Sequence, residues 1–271
     1  MVALMCGSGL LLYLNDSSTH QQWRSAGATG QEAWIDLTVT VQKVDTAEQQ
    51  LVLNVLPTPE GALASADDGT FTQAVSLYTS SLRQTSIRIA KGSTATLQQV
   101  TLPLYDGVVT DYPFDRYNAV MAWAATTPDG GALPVVTGMK IVDPFFAARE
   151  EGVRAQSQAF AVDARFSRSR GTFILAWFMM AAMWTLSLAV LGSTIVLVRR
   201  RRGLVWPALG WMAATLFALV GLRNAAPGSP PIGSLIDYVA FFWAEAIIAA
   251  CVAWVVVAGI AVEGAEAAAA P

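Results

Sequence analysis

Histidine and cysteine are almost missing from this 271-residue chain, which has one histidine, His20, and two cysteines, Cys6 and Cys251. Zinc sites, iron–sulfur clusters and disulfide frameworks each need several thiol or imidazole ligands, so no metal and no cofactor is expected. Both cysteines lie in apolar runs and read as small packing or lipid-facing residues. Charge is scarce as well: 14% of the residues are charged, against about 25% in a soluble domain. That is too little to cover one water-soluble body, so part of the chain must lie in lipid.

Three long apolar runs follow Thr172. They are Phe173 to Val198, Leu204 to Leu222 and Tyr238 to Val262, of 26, 19 and 25 residues. At about 1.5 Å per residue each reaches, or nearly reaches, across a hydrocarbon core of about 30 Å. They read as transmembrane helices over 171–198, 204–222 and 237–262. Pro207 falls near the start of the second, where the first-turn N–H groups are unpaired and proline costs least.

Residues 1–14 (MVALMCGSGLLLYL) are apolar too. No Lys or Arg precedes Arg24, and Ala26-Gly27-Ala28 lies too far past the run to serve as a cleavage site, which argues against a secretory signal. Bulky Met5 argues against lipidation at Cys6. A transmembrane anchor over 1–15 is therefore expected, with a natural start further upstream supplying the missing basic flank. The loop Arg199-Arg200-Arg201-Arg202 is the densest positive cluster, and short basic loops stay cytoplasmic. It places residues 16–168 on the extracytoplasmic side of the plasma (inner) membrane. Arg165, Arg168 and Arg170 flank the other end of the same helix and count the other way.

Residues 16–168 have period-two alternation. Ile35, Leu37, Val39 and Val41 alternate with Asp36, Thr38, Thr40 and Gln42, and Leu51, Leu53 and Val55 repeat the pattern. Further short runs at 73–79, 85–90, 96–102, 117–124, 135–142 and 158–166 bring the total to eight strands. Pro57-Thr58-Pro59-Glu60-Gly61, Asp67-Asp68-Gly69, Lys91-Gly92-Ser93 and Pro128-Asp129-Gly130-Gly131 read as the turns between them. The spacing predicts an antiparallel β-sandwich, followed by a three-helix transmembrane domain over 169–271. Between Asp16 and Arg165 there are 16 acidic and 10 basic residues, a balance that does not suit nucleic acid.

Asp67-Asp68-Gly69-Thr70 lacks the further acids and distal Glu of a calcium loop and reads as a polar turn. No nucleophile elbow is present. Asp111 and Asp115 are the one carboxylate pair worth naming, and the chain is expected not to be an enzyme. The stretch Asp111-Tyr112-Pro113-Phe114-Asp115-Arg116-Tyr117 joins a fixed proline φ to rigid aromatics, with Asp115 and Arg116 as a polar tip. It suits a docking surface, or a tight turn packed into its own domain.

The hairpin from Arg223 and Asn224 through Pro230 and Pro231 to Asp237 is stiff, and it precedes the interfacial aromatic Trp243. In this orientation it emerges on the same face as the β-domain, with Arg223 paired to Asp237. Glu245 lies about 12 Å deeper along the helix, where an acid faces a partner, a cavity or a proton path. It is expected to be neutral, or to bond Trp184, Ser187 or another subunit. A packing or pairing role is preferred to a proton relay, which one acid cannot form alone.

The Tyr112-Pro113-Phe114-Asp115 loop resembles the Phe-Pro-Phe-Asp loop of pentameric ligand-gated channels, which sits where their sandwich meets the membrane helices. Together with Arg168-Ser169, Met183-Trp184-Thr185-Leu186-Ser187, the proline-rich hairpin to Asp237 and Phe242-Trp243, it resembles a family of actinobacterial and fungal integral membrane proteins. That family is catalogued only as a domain of unknown function (family 4436 type). Membership implies one anchor, a β-domain and three further helices, with no catalytic residues. The layout is also similar to accessory subunits of mycobacterial Mce-type lipid transporters.

The function expected is thus a non-enzymatic accessory or stabilising subunit of a cell-envelope complex, a Mce-type lipid transporter foremost. Membrane lipids and other integral membrane subunits would be its partners. A homo-oligomeric channel or sensor is the alternative, although Thr185, Ser187, Ser193 and Thr194 are too irregular to line one helix face. A membrane-anchored envelope enzyme is the third reading.

Overall fold

A computed structural model describes residues 24–26, 32–156, 159–201 and 203–269. The anchor expected over 1–15, Cys6, His20 and Arg202 lie outside them. Two compact units result. One is built of the strands, through Val109 and again from Phe114 to Gly171; the other comprises the helices from Thr172 onward together with Thr110–Pro113.

The strand unit is a β-sandwich of eleven described strands: β1 (Arg24–Ala26), β2 (Ala33–Asp45), β3 (Gln50–Gly61), β4 (Val75–Thr79), β5 (Ser86–Ile89), β6 (Gln98–Pro103), β7 (Arg116–Thr126), β8 (Ala132–Leu133), β9 (Val135–Ile141), β10 (Phe146–Gln156) and β11 (Ala159–Arg168). One sheet runs β1-β9-β2-β3-β6; the other runs β10-β11-β7-β4-β5, with β8 on β7. Alternation decides which face is buried. Ile35, Leu37, Val39 and Val41 of β2 and Leu51, Leu53 and Val55 of β3 meet Leu77, Met121, Trp123 and Phe166 of the opposite sheet in one core. A bulge between Val41 and Lys43 leaves Gln42 and Lys43 both exposed and returns Val44 to the core.

The structure departs from the sequence reading at several points. Pro57-Thr58-Pro59-Glu60-Gly61 is the end of β3 and not a turn. Among the described residues β6 pairs with β3 only from Gln50 to Val55, so there the edge beyond carries no partner strand. Ile35, opposite Pro59, donates its N–H to Pro134 on the side of β9, so the Pro59 nitrogen faces the open edge, as does Pro57 two residues away. Proline is tolerated there because no ladder hydrogen bond is lost. β10 (FAAREEGVRAQ) was not expected. Among the described residues it pairs only with β11, so as a charged edge strand it has no clean apolar face to show in the sequence. β9 lies parallel to β2, since it arrives from the other sheet and not through a hairpin.

The helical unit contains α1 (Arg170–Arg199), α2 (Trp206–Asn224) and α3, which opens with a π-helical turn (Asp237–Phe241) and continues over Phe242–Ala269. All three are long and apolar enough to cross a membrane. Pro207 stands in the first turn of α2, as its missing N–H allows. Met183 and Val190 of α1, Met212 and Leu219 of α2, and Ala244 and Ile248 of α3 share one apolar cluster.

Close packing makes Gly107 a sensitive position in the strand unit, because a Cβ there would overlap the Tyr117 ring, which is fully buried. Gly107→Ala should lower the unfolding free energy by about 1–3 kcal/mol, as overpacking does. Denaturant titration of the purified full chain in lipid nanodiscs measures it.

Candidate functional site

Two buried ion pairs, one in each unit, and one intramembrane acid are the polar features that stand out. In the strand unit Asp115 leads into β7 and Arg168 closes β11. The register Arg116↔Ser167 brings their ends together. Arg168 Nε donates to both Asp115 oxygens at 2.9 and 3.1 Å, and Nη2 donates to Oδ2 at 2.8 Å. Both side chains are buried, and the guanidinium lies over the Phe146 ring at 4.2 Å. The Tyr117 hydroxyl donates to Asp115 Oδ2 at 3.1 Å. Ser169 then donates its N–H to Phe145 O at 2.9 Å and its hydroxyl to Pro144 O at 3.0 Å, which fixes the residue before α1.

The polar tip expected of Asp115 and Arg116 is therefore not formed. Successive residues entering a strand point to opposite faces, so Asp115 turns inward to Arg168 while Arg116 is exposed. Nothing local to Asp115 pointed to Arg168, which lies 53 residues away. The rest of the loop is divided between the units. Tyr112 and Pro113, joined by a cis peptide bond, are buried in the helical unit, where Tyr112 shares a cluster with Ala176, Met180, Ile236 and Ala240. Phe114 belongs to the strand unit and is exposed.

In the helical unit the Arg223–Asp237 pair expected from the sequence is present. Nε donates to Oδ1 at 2.8 Å and Nη2 to Oδ2 at 2.7 Å. The guanidinium also donates to the carbonyls of Pro230 (3.0 Å) and Pro231 (2.8 Å). Asp237 Oδ2 accepts the N–H groups of Gly233 (2.7 Å) and Ser234 (3.2 Å). Gly233 has φ +89°, a left-handed conformation that suits glycine. One ion pair thus closes the whole α2–α3 hairpin and meets carbonyls and N–H groups that burial would otherwise leave unpaired. Pro230 is buried, whereas Asn224 and Pro231 are exposed.

Glu245 is half-buried in α3, and its Oε2 is enclosed with no hydrogen-bond partner among the described residues. The two partners expected within the chain are engaged elsewhere. Trp184 Nε1 donates to Val239 O at 3.2 Å, and Ser187 Oγ donates to Trp184 O at 3.0 Å. The first of these has a physical cause. Val239 lies in the π-helical turn, where hydrogen bonds run to i+5 and a carbonyl is left open to an outside donor. Beside Glu245 the face of α3 is exposed at Ala246, Ala249 and Ala250, and Trp243 is exposed one turn earlier. Sequence reasoning missed Glu263, whose Oε1 accepts the Leu204 N–H at 2.8 Å ahead of α2. No spacing rule links them.

Residues 25–166, just over half of the chain, match the family model described as Domain of unknown function (DUF4436), and residues 168–262 match one described as Domain of unknown function (DUF8686). No curated protein matches the chain.

Removing one member of the hairpin pair strands the other in a buried place, so Arg223→Met or Asp237→Asn should cost about 3–5 kcal/mol. The double variant Arg223→Met with Asp237→Asn should cost less than the sum of the single changes. Thermal unfolding of the three variants in nanodiscs gives the coupling.

Burial foremost, then the Asp115 carboxylate, raises the Tyr117 phenol above its ordinary value near 10. The folded chain keeps that proton after the unfolded chain has lost it. Stability is therefore intact below about pH 10 and declines as pH rises further. Unfolding titrations from pH 8 upward should show the decline in the native protein and a flatter profile for Tyr117→Phe.

Proposed function

The chain belongs to the DUF4436 family of unknown function, and from that premise we propose that it is a non-enzymatic accessory or stabilising subunit of a cell-envelope complex, with a lipid transporter of the Mce type as the favoured case. In this reading the strand unit is extracytoplasmic, the Arg199–Arg202 loop is cytoplasmic, and the membrane is the plasma membrane. The observation that carries the proposal is Glu245. A carboxyl oxygen enclosed in a span without a partner among the described residues is costly in hydrocarbon. A donor from a second membrane protein, seated against the small alanine face beside it and bonded to the exposed part of the half-buried carboxyl group, would relieve part of that cost. The absence of catalysis is supported by Asp115. Held by a guanidinium through three hydrogen bonds, it is committed to a structural pair with Arg168 and not to one with Asp111, the other half of the one carboxylate pair noted in the sequence.

Gentle-detergent purification of the tagged protein from its native membrane should recover integral membrane subunits in fixed stoichiometry. Glu245→Ala should release them without lowering the unfolding temperature of the protein, and Glu245→Gln, which keeps hydrogen-bonding groups, should retain part of the association. A lone monomer would overturn the proposal. A closed ring of identical copies that conducts ions in a planar bilayer would replace it with the channel reading.

A further inference from the structure

The turn between α1 and α2 gathers basic side chains that the helical unit leaves without a counter-charge. Arg199 is the last residue of α1, and Arg200 and Arg201 follow it in a turn whose N–H groups donate to Val196 O and Val198 O at 3.1 Å. All three are exposed, and no ion pair among the described residues includes any of them. The acids of α3 at this end are Glu263 and Glu266, both exposed. Glu263 is committed to the backbone of the turn. Its Oε1 accepts the Leu204 N–H at 2.8 Å, and a Cβ on Gly203 would come within 3.0 Å of the same oxygen. Glu266 lies three residues, roughly 4.5 Å, further along α3.

Arg201 has φ +48°, the left-handed conformation in which helices commonly end and which glycine adopts at least cost. A larger residue held there gives up some stability, which points to a use for its side chain. The level of the turn in a membrane follows from the helices of this unit alone. The apolar run of α1 ends at Val198 and that of α2 begins at Leu204, so the three arginines fall at the boundary between hydrocarbon and headgroups. Trp206, the first residue of α2 and 72% exposed, is the kind of ring that settles at that boundary. The start of α2 offers an anion little by itself: Pro207 has no N–H, and the N–H groups of Ala208 and Leu209 both donate to Val205 O. The guanidinium groups are what remains to meet one.

We infer that Arg199, Arg200 and Arg201 bind the phosphate groups of anionic phospholipids in the leaflet that the turn borders. A guanidinium matches phosphate oxygens in planar, two-bond contacts, and the turn presents three of them in the layer of the bilayer where phosphates are concentrated. A topology signal needs only the number of positive charges near the end of a span. A lipid site also needs arginine at the left-handed position of the folded turn. The site depends neither on the subunit role proposed above nor on which side of the membrane the turn occupies.

Native mass spectrometry of the purified full chain, titrated in detergent with phosphatidylglycerol or phosphatidylcholine, tests this. The first phosphatidylglycerol should bind at least about fivefold tighter than the first phosphatidylcholine, the factor that one arginine near a lipid surface supplies. Arg199→Gln, Arg200→Gln and Arg201→Gln together should abolish the preference. Arg201→Gly, which suits the left-handed turn, should keep or raise the unfolding temperature and still lower the preference severalfold. Equal affinity for the two lipids would overturn the inference, as would a preference that survives either change. Displacement of the lipid by millimolar inorganic phosphate, beyond that caused by chloride at matched ionic strength, would mark a site for soluble phosphate and overturn the lipid assignment.

Discussion

Hydrocarbon offers no water to a buried donor or acceptor, and the arrangement of this protein follows from how its few polar groups in apolar surroundings are answered. Arg223 is the leading case. Its guanidinium supplies donors to a carboxylate and two proline carbonyls, and that carboxylate accepts two backbone N–H groups of the same hairpin. With both charges shielded from solvent, neither residue is tolerable without the other. The pair turns a loop rich in proline and glycine into a single closed structure and sets where α3 begins.

The strand unit repeats the device in a different setting. Arg168 and Asp115 sit at the ends of β11 and β7, beneath an aromatic ring and beside a buried phenol. Asp115 is two residues from Pro113 and Arg168 is four from Thr172, so the pair lies next to the places where the chain passes between its two units. In both units planar, bidentate recognition by arginine is used where a loosely held lysine would specify less.

Much of the fold is legible in the sequence because burial imposes a period. Ile35, Leu37, Val39 and Val41 announce β2, and three long apolar runs announce α1, α2 and α3. β10 stays hidden because an edge strand with Arg149, Glu150 and Arg154 has no dry face to reveal. Pro57 and Pro59 mislead because their meaning depends on where β6 stops, which is a fact of tertiary pairing. The polar sites divide in the same way. Arg223 and Asp237 are close in sequence, opposite in charge and at facing helix ends, so they are found together. Arg168 and Asp115 are joined only by sheet register. For Glu245 the sequence shows the isolated acid, but the π-helical turn that draws Trp184 to Val239 is not visible in residue types.

The prolines of β3 also bear on the behaviour of many copies in one membrane. Lateral confinement raises the local concentration of any membrane-bound domain, and an open sheet edge invites a neighbour to add a strand. At Pro57 and Pro59 the outward positions that would donate to such a strand have no N–H at all. Copies of the sandwich can therefore crowd together on a membrane without knitting through that edge into a continuous sheet.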